Sequence, residues 1–306
     1  MKPRRPAAVK DRLRDIGEDA LLDKLSRFFP VGKNVVAGSG DDAAIVRGPT
    51  GGDLIVLKTD CVVENIHFND TASPEAIGWK AMMRPLSDFA AISGIPEFAL
   101  ITLMVDRDRT VAWVSGVYRG LAGAARRFGV SIVGGETSAA RRTAAISVCV
   151  TGRVEKNRWV SRRGGKAGDD LFVTGRLGGS IKGKHLRFVP RIEESRWLTE
   201  NFHIHAMMDL SDGLGADLPR LARASGVGFE IDFNALPRSP GASVKNAIND
   251  GEDFELLFSI SPNDSQRLQT AWRRKFPRLK LTKIGVLNPQ SAVRNSQLQG
   301  GYVHFQ

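Results

Sequence analysis

The sequence predicts an α/β (α+β) protein in two domains, and three observations carry that prediction. Strand-sized apolar runs alternate with segments of helical period in both halves of the chain. At 306 residues the chain is long enough to hold two cores of about 150 residues each. A Gly- and Arg-rich stretch at residues 158–169, RWVSRRGGKAGD, interrupts the pattern near the middle, as a seam would. The expected division is a basic leader over 1–15, a first domain over 16–155 and a second over 156–306.

The elements follow in order. Residues 16–29 read as an amphipathic helix stopped by Pro30. Residues 53–59, DLIVLKT, read as a short strand leading into a polar loop. Residues 74–93 have helical period, with Pro85 expected to kink that helix or begin a new one. Residues 97–105 form a strand, 111–128 a helix, 130–133 a strand ending at Gly134-Gly135, and 144–154 a further strand. In the second half, 170–174 is a strand and 191–200 a helix introduced by Pro190. Residues 211–225 are a helix for which Ser211 or Asp212 is a candidate N-cap. Strands at 227–231, 254–260 and 281–286 alternate with helical segments.

Composition narrows the function classes. The chain is 42% hydrophobic and has two cysteines, which excludes a disordered chain and a disulfide-stapled mini-domain. Cys61 and Cys149 cannot build a Cys-type zinc site, so a reducing cytoplasm is expected. No apolar run approaches the roughly 18 residues of a membrane helix, and MKPRRPAAVK has no apolar h-region. The net charge is +11, and the first 14 residues hold six basic residues against Asp11, so nearly half of the excess sits there. That reads as an anion or nucleic-acid tether or as a solvated terminus. No nucleic-acid-binding signature accompanies it, and a nucleic-acid partner is not expected.

The placement of the acids is the chemical signal. They sit beside glycines or at strand ends: Gly40-Asp41-Asp42, Thr59-Asp60, Ser87-Asp88, Asp209-Leu-Ser211-Asp212-Gly213 and Gly251-Glu252-Asp253. Adjacent carboxylates repel and resist desolvation. Hard divalent cations with oxygen ligands, shared with substrate phosphates, relieve both penalties. Each pair alone could be a turn or a helix cap; their recurrence beside apolar elements points to a shared metal–phosphate site. Gly134-Gly135-Glu136-Thr137 and Gly175 to Gly179 supply backbone N–H groups of the kind that approach phosphates. GGSIKGKH at 178–185 resembles a P-loop but lacks its Ser or Thr, and reads as a Gly-rich connector. His67 has no metal-ligand partner at a suitable spacing and suits a substrate contact better. No nucleophile–base arrangement stands out, which phosphoryl transfer does not need.

Taken in order, GDDAAIV (40–46), TDCVVENIHF (59–68), LSDFAA (86–91), VGGETS (133–138), SRRGGKAGDDLFVTGRLGGS (161–180), MMDLSDGLGADL (207–218), GEDFELLF (251–258) and GYVHF (301–305) resemble the thiamine-monophosphate kinase family. That family lies within the superfamily of aminoimidazole ribonucleotide synthetase. The resemblance implies the two-domain fold of that superfamily, with N-terminal sheets of two subunits pairing in a homodimer. It implies transfer of the γ-phosphoryl group of ATP to thiamine monophosphate, with several Mg²⁺ ions. By position it implies Asp42, Thr59, Asp60, Asp88, Glu136, Asp209 and Asp212 as metal ligands. Tyr118, Gly135, Glu136, Arg162 and Ser211 correspond to ATP contacts, His67, Glu252 and Tyr302 to acceptor contacts, and Asp212, Asp209 and Arg162 to the catalytic group. The chain departs from the family pattern at Lys58, where a small hydroxyl residue is usual, at Glu136 for Asp, at Pro85 for Asn and at Asp250 for Gly. These leave open the number of metals, a different acceptor, or a degenerate ATP- or nucleic-acid-binding protein.

Overall fold

The computed structural model describes residues 13–49, 51–289 and 300–301. Tyr302 and most of the leader lie outside the described residues.

The first half builds one six-stranded sheet. After α1 (Leu13–Leu25) come β1 (Val35–Ala37), β2 (Ala44–Arg47), β3 (Leu54–Val63), α2 (Pro74–Ala91), β4 (Ile95–Asp106), α3 (Val111–Arg127), β5 (Ser131–Ala140) and β6 (Ala144–Val154). The strand order is β1-β2-β3-β6-β4-β5, antiparallel except for the β4–β5 pair. α2 and α3 cover one face. Their axes approach closely because both carry glycine at the crossing: a Cβ on Gly120 would lie 2.0 Å from the Glu75 carbonyl oxygen. Alternate strand residues such as Val56, Ile101, Val148 and Val150 fill the core below these helices. The residues between them, including Leu57, Phe98 and Leu100, face outward and are exposed.

The second half contains β7 (Asp170–Thr174), α4 (Ile192–Asn201), β8 (Ile204–Asp209), α5 (Leu214–Ser225), β9 (Gly228–Ile231), α6 (Val244–Asn249), β10 (Leu256–Ile260), α7 (Pro262–Lys275) and β11 (Leu281–Asn288). Its five-stranded antiparallel sheet runs β8-β10-β7-β11-β9. Both faces are covered. Leu218 and Leu221 of α5 pack on Met208 and Leu257, while Leu268 and Trp272 of α7 pack on Phe172 and Phe258. Ala90 of α2 joins this last cluster, so α2 belongs to both halves.

The structure corrects several sequence expectations. β3 does not end at Thr59 but runs to Val63, because its polar half alternates cleanly between faces. β5 continues through Gly134-Gly135; a Cβ on Gly135 would lie 1.8 Å from the Ile101 carbonyl oxygen, so glycine is what permits that pairing. α2 passes Pro85 as one helix. A mid-helix proline costs about 3 kcal/mol, and α2, capped by Ser73 and buried along most of its length, has the packing to offset it. α5 starts at Leu214 with Gly213 as N-cap, so neither Ser211 nor Asp212 caps it. β1, β2 and β8 are additional strands. No described helix is long and apolar enough to cross a membrane.

Candidate active site

Four elements converge at the junction of the halves. Asp42 lies in the loop before β2, Lys58 and Asp60 on one face of β3, Asp88 on α2, and Asp209 at the end of β8. Among the described residues, one carboxylate oxygen from each of Asp42, Asp88 and Asp209 lies within 4.8 Å of the other two, and all three residues are buried. Three buried acids at this spacing are unstable as bare anions. Burial lifts the Asp209 carboxyl to about 7, with the Asp42 charge adding to the rise and the Ser87 and Lys58 contacts opposing it. Burial also drives Asp88 well above the usual range, against the pull of Lys58. The donor set is all oxygen, compact and short of positive charge, which suits a hard divalent cation.

The chain supplies some compensation itself. Lys58 Nζ is 2.9 Å from Asp88 and 3.6 Å from Asp60. Burial disfavours its charge, but Asp60 and Asp88 outweigh burial and hold its pKa above the ordinary value. Arg162 donates to both oxygens of Asp42, at 2.6 and 3.1 Å. Asp41 fixes the Arg162 segment by accepting from the Ser161 hydroxyl at 2.7 Å and the Arg162 N–H at 2.9 Å. Ser87 Oγ donates to Asp209 at 2.6 Å. Arg162 is therefore a site residue that ties the second half to Asp42, rather than a solvated seam residue.

Two cavities meet here. The first, about 680 Å³, is lined by Lys58, Asp60, Asp88, Arg162, Arg163 and Asp209, with Asp19 and Arg220 at its far side. Asp212 pairs with Arg220, which also holds Asp217 at 3.0 Å and Asp19 at 3.1 Å. The second cavity, about 570 Å³, is lined by His67, Phe68, His185, Gly251 and Glu252 among others. Arg84, Ser211, Asp212 and Phe254 line both.

The second cavity has a buried charge at its base. Lys80, fully buried, donates to Glu252 at 2.7 Å and to the His67 carbonyl oxygen at 2.6 Å, and its Nζ lies 2.8 Å from His185 Nδ1. Glu252 is held down to about 2: burial opposes its charge, but His185, Lys80 and Arg84 prevail. Lys80 moves down as well, to about 8, because burial outweighs the attraction of Glu252. Glu252 adopts a left-handed φ of 63°, a conformation few non-glycine residues take. The chain is held there by the Glu252 N–H donating to the Ser211 carbonyl at 2.6 Å and the Phe254 N–H to that of Leu210 at 2.8 Å. Those bonds join the loop before β10 to the loop after β8. His67 Nδ1 accepts the Val63 N–H at 3.1 Å.

Of the expected site residues, Asp60, Asp88, Asp209, Arg162, Ser211, Asp212, His67 and Glu252 line the two cavities, and Asp42 is buried beside Asp88 and Asp209. Thr59, Glu136, Gly135 and Tyr118 do not join them within one chain. The alternation that turns Lys58 and Asp60 toward the site turns Thr59 the other way, where its hydroxyl is 3.3 Å from that of Ser147. Glu136 sits on β5, the edge strand, paired with Thr102. Gly135 lies against Ile101, and Tyr118 packs on the first core from α3. Asp253 is structural: it accepts from the Ser180 hydroxyl at 2.6 Å and the Gly178 N–H at 2.8 Å. Sequence reasoning missed Lys80, Arg84 and His185. The signal for the first two was their spacing from Asp88 on one helix, at four-residue intervals that share a face.

Comparison with known proteins agrees with this fold. Residues 40–154 match the AIR synthase related protein N-terminal domain, and residues 158–273 match its C-terminal domain. The thiamine-monophosphate kinase of Rhodopirellula baltica is 37% identical over 256 residues, covering 78% of this chain and 80% of that one. That of Synechococcus elongatus is 33% identical, covering 85% and 87%. A structure of AaThiL complexed with AMPPCP and TMP superimposes with a TM-score of 0.82 at 30% identity, covering 97% of this chain and all of that one. The chain belongs to the thiamine-monophosphate kinase family, phosphotransferases built from paired AIR synthase related domains.

Proposed function

We propose that this chain transfers the γ-phosphoryl group of ATP to thiamine monophosphate, yielding thiamine diphosphate and ADP, in the cytoplasm. The observation that carries the reading is the convergence of Asp42, Asp88 and Asp209, with Arg162 alongside, at the first cavity, which shares a wall with the second. The AaThiL complex holds both AMPPCP, an ATP analogue, and TMP, which supports one nucleotide site and one acceptor site.

In this reading Asp42, Asp60, Asp88, Asp209 and Asp212 hold Mg²⁺. Mg²⁺ held by these carboxylates would supply positive charge to offset the charge developing on the transferring phosphates. Arg162 and Ser211 face the nucleotide phosphates. His67, Glu252 and the Lys80–His185 pair form the acceptor wall. Phosphate attacks phosphate directly, so no side chain need become covalently bonded. We also read the open face of the first sheet as a homodimer contact. Leu57, Thr151 and Phe98 line up across three strands there, and Leu57, Phe98 and Leu100 are exposed.

The test is ADP release with thiamine monophosphate, with thiamine and with no acceptor, each with and without Mg²⁺, alongside light-scattering mass. Release that needs both thiamine monophosphate and Mg²⁺, from a dimer, is the expected result. Release with thiamine alone, or none with any acceptor, would remove the assignment.

A further inference from the structure

The wall between the two cavities holds a cation that the reading above does not use. Only four described residues line both, and Arg84 is the one cation among them. Its guanidinium is held loosely from each side: Nη2 is 3.5 Å from Asp60 of the acidic cluster, and Nη1 is 3.8 Å from Glu252 of the second cavity. Both exceed the 2.7–2.9 Å of a strong charge-assisted hydrogen bond. Its Nε is buried and has no hydrogen-bond partner. A buried donor left unpaired is costly. Lys58 and Arg162 close tighter pairs, at 2.9 and 2.6 Å. Arg84 thus differs from Lys58 and Arg162, the other cations paired with the buried acids. It is charged and fixed on a rigid helix, and part of its donor fork is unspent.

We propose that Arg84 is a catalytic residue for phosphoryl transfer, its guanidinium contacting the transferring group midway between donor and acceptor. This rests on the kinase reading above. In the step, an oxygen of the acceptor's phosphate forms a bond to the γ-phosphorus. The bond from that phosphorus to the β–γ bridging oxygen breaks, and its electron pair stays on the β-phosphate of ADP. Arg84 neither gains nor loses a proton. It donates N–H groups to oxygens whose charge is redistributed in transit, where fixed donors act most strongly. In that reading Arg162 faces the ground-state nucleotide phosphates, so the Arg84 contribution falls on the transition state.

The test uses the full-length protein and a transition-state mimic, ADP with aluminium fluoride, thiamine monophosphate and Mg²⁺. Wild type is expected to form a slowly dissociating trapped complex. Arg84→Met should bind ADP and thiamine monophosphate separately within threefold of wild type, yet hold the trap at least 100-fold more weakly. Its kcat should fall about 100- to 1,000-fold with KM little changed. Arg84→Lys keeps the charge without the fork and should be intermediate. If Arg84→Met is misfolded by circular dichroism, Arg84→Lys decides: a kcat and trap within threefold of wild type would overturn the proposal. So would a folded Arg84→Met whose loss lies wholly in thiamine monophosphate affinity, since that marks a ground-state contact. A wild type that binds neither ADP nor thiamine monophosphate would overturn the kinase reading and this proposal together. One that binds and turns over, but keeps the trap in Arg84→Met, would overturn this proposal alone.

Discussion

The two cavities solve opposite electrostatic problems with much the same residue types. In the first, buried carboxylates outnumber the cations in contact with them, and the misfit shows in Asp209 and Asp88, both pushed upward. In the second, Lys80 is buried but surrounded by a carboxylate, an imidazole and a carbonyl oxygen. One site leaves negative charge unanswered and is ready for a cation. The other has already satisfied its charge and is ready to recognise shape and a polar edge. The difference shows that acids in a cleft differ in meaning according to whether the fold completes their pairing.

The sharpest way to break that contrast is Asp209→Asn. Turnover should fall by about 10³, or about 4 kcal/mol of barrier, while thiamine monophosphate affinity stays within a few fold. Calorimetric melting should show a midpoint equal to or above that of wild type, because one of three crowded buried carboxylates has been neutralised. A variant with ordinary turnover would mean the unanswered charge is incidental.

Next in size is Glu252→Gln, which strands the Lys80 ammonium. Removing one partner of a buried pair costs about 3–5 kcal/mol, readable by urea unfolding, and Lys80→Met added to it should restore much of the loss. The pH dependence has a definite sign. Glu252 is depressed from 4.5 to about 2, so its stabilisation is complete above 4.5 and drains away as pH falls toward 2. Lys80 is depressed from 10.5 to about 8, so its charge costs stability at neutral pH, and that cost lifts as pH rises from 8 to 10.5. Glu252→Gln should lose the acid limb of the profile. An unchanged acid limb would show the pair to be inert. The smallest effect is expected from His185→Ala: a rise of about tenfold in KM for thiamine monophosphate, worth about 1.4 kcal/mol, with KM for ATP unaltered. Equal changes in both would erase the division between the cavities.

Much of this is legible in the sequence. Asp42, Asp88 and Asp209 stood out because each occupies a short acidic motif beside an apolar element, where a plain surface charge has little reason to sit. The helices and strands with clean apolar period, such as β6 and α3, were equally readable. What failed to show has physical reasons. The second half of β3 looks like a loop because its inward residues, Lys58 and Asp60, face a polar cavity rather than oil. β5 looks broken at Gly134-Gly135 because close strand packing and turns both select glycine. Lys80 carries no signal of its own in the sequence, since burial of a lysine depends on Glu252, far away in the chain. His185 was set aside with a loop resembling a phosphate cradle, and its actual neighbours come from α2 and the loop before β10.

One feature of α2 has a mechanical outcome. Lys80, Arg84 and Asp88 rise along a single stripe, so the acceptor end and the cation end are separated by eight residues of unbroken helix, about 12 Å at the α-helical rise. Loops can breathe, but a packed rod does not stretch. The molecule carries a calliper of fixed opening, and a substrate must match its gauge instead of persuading the jaws to widen.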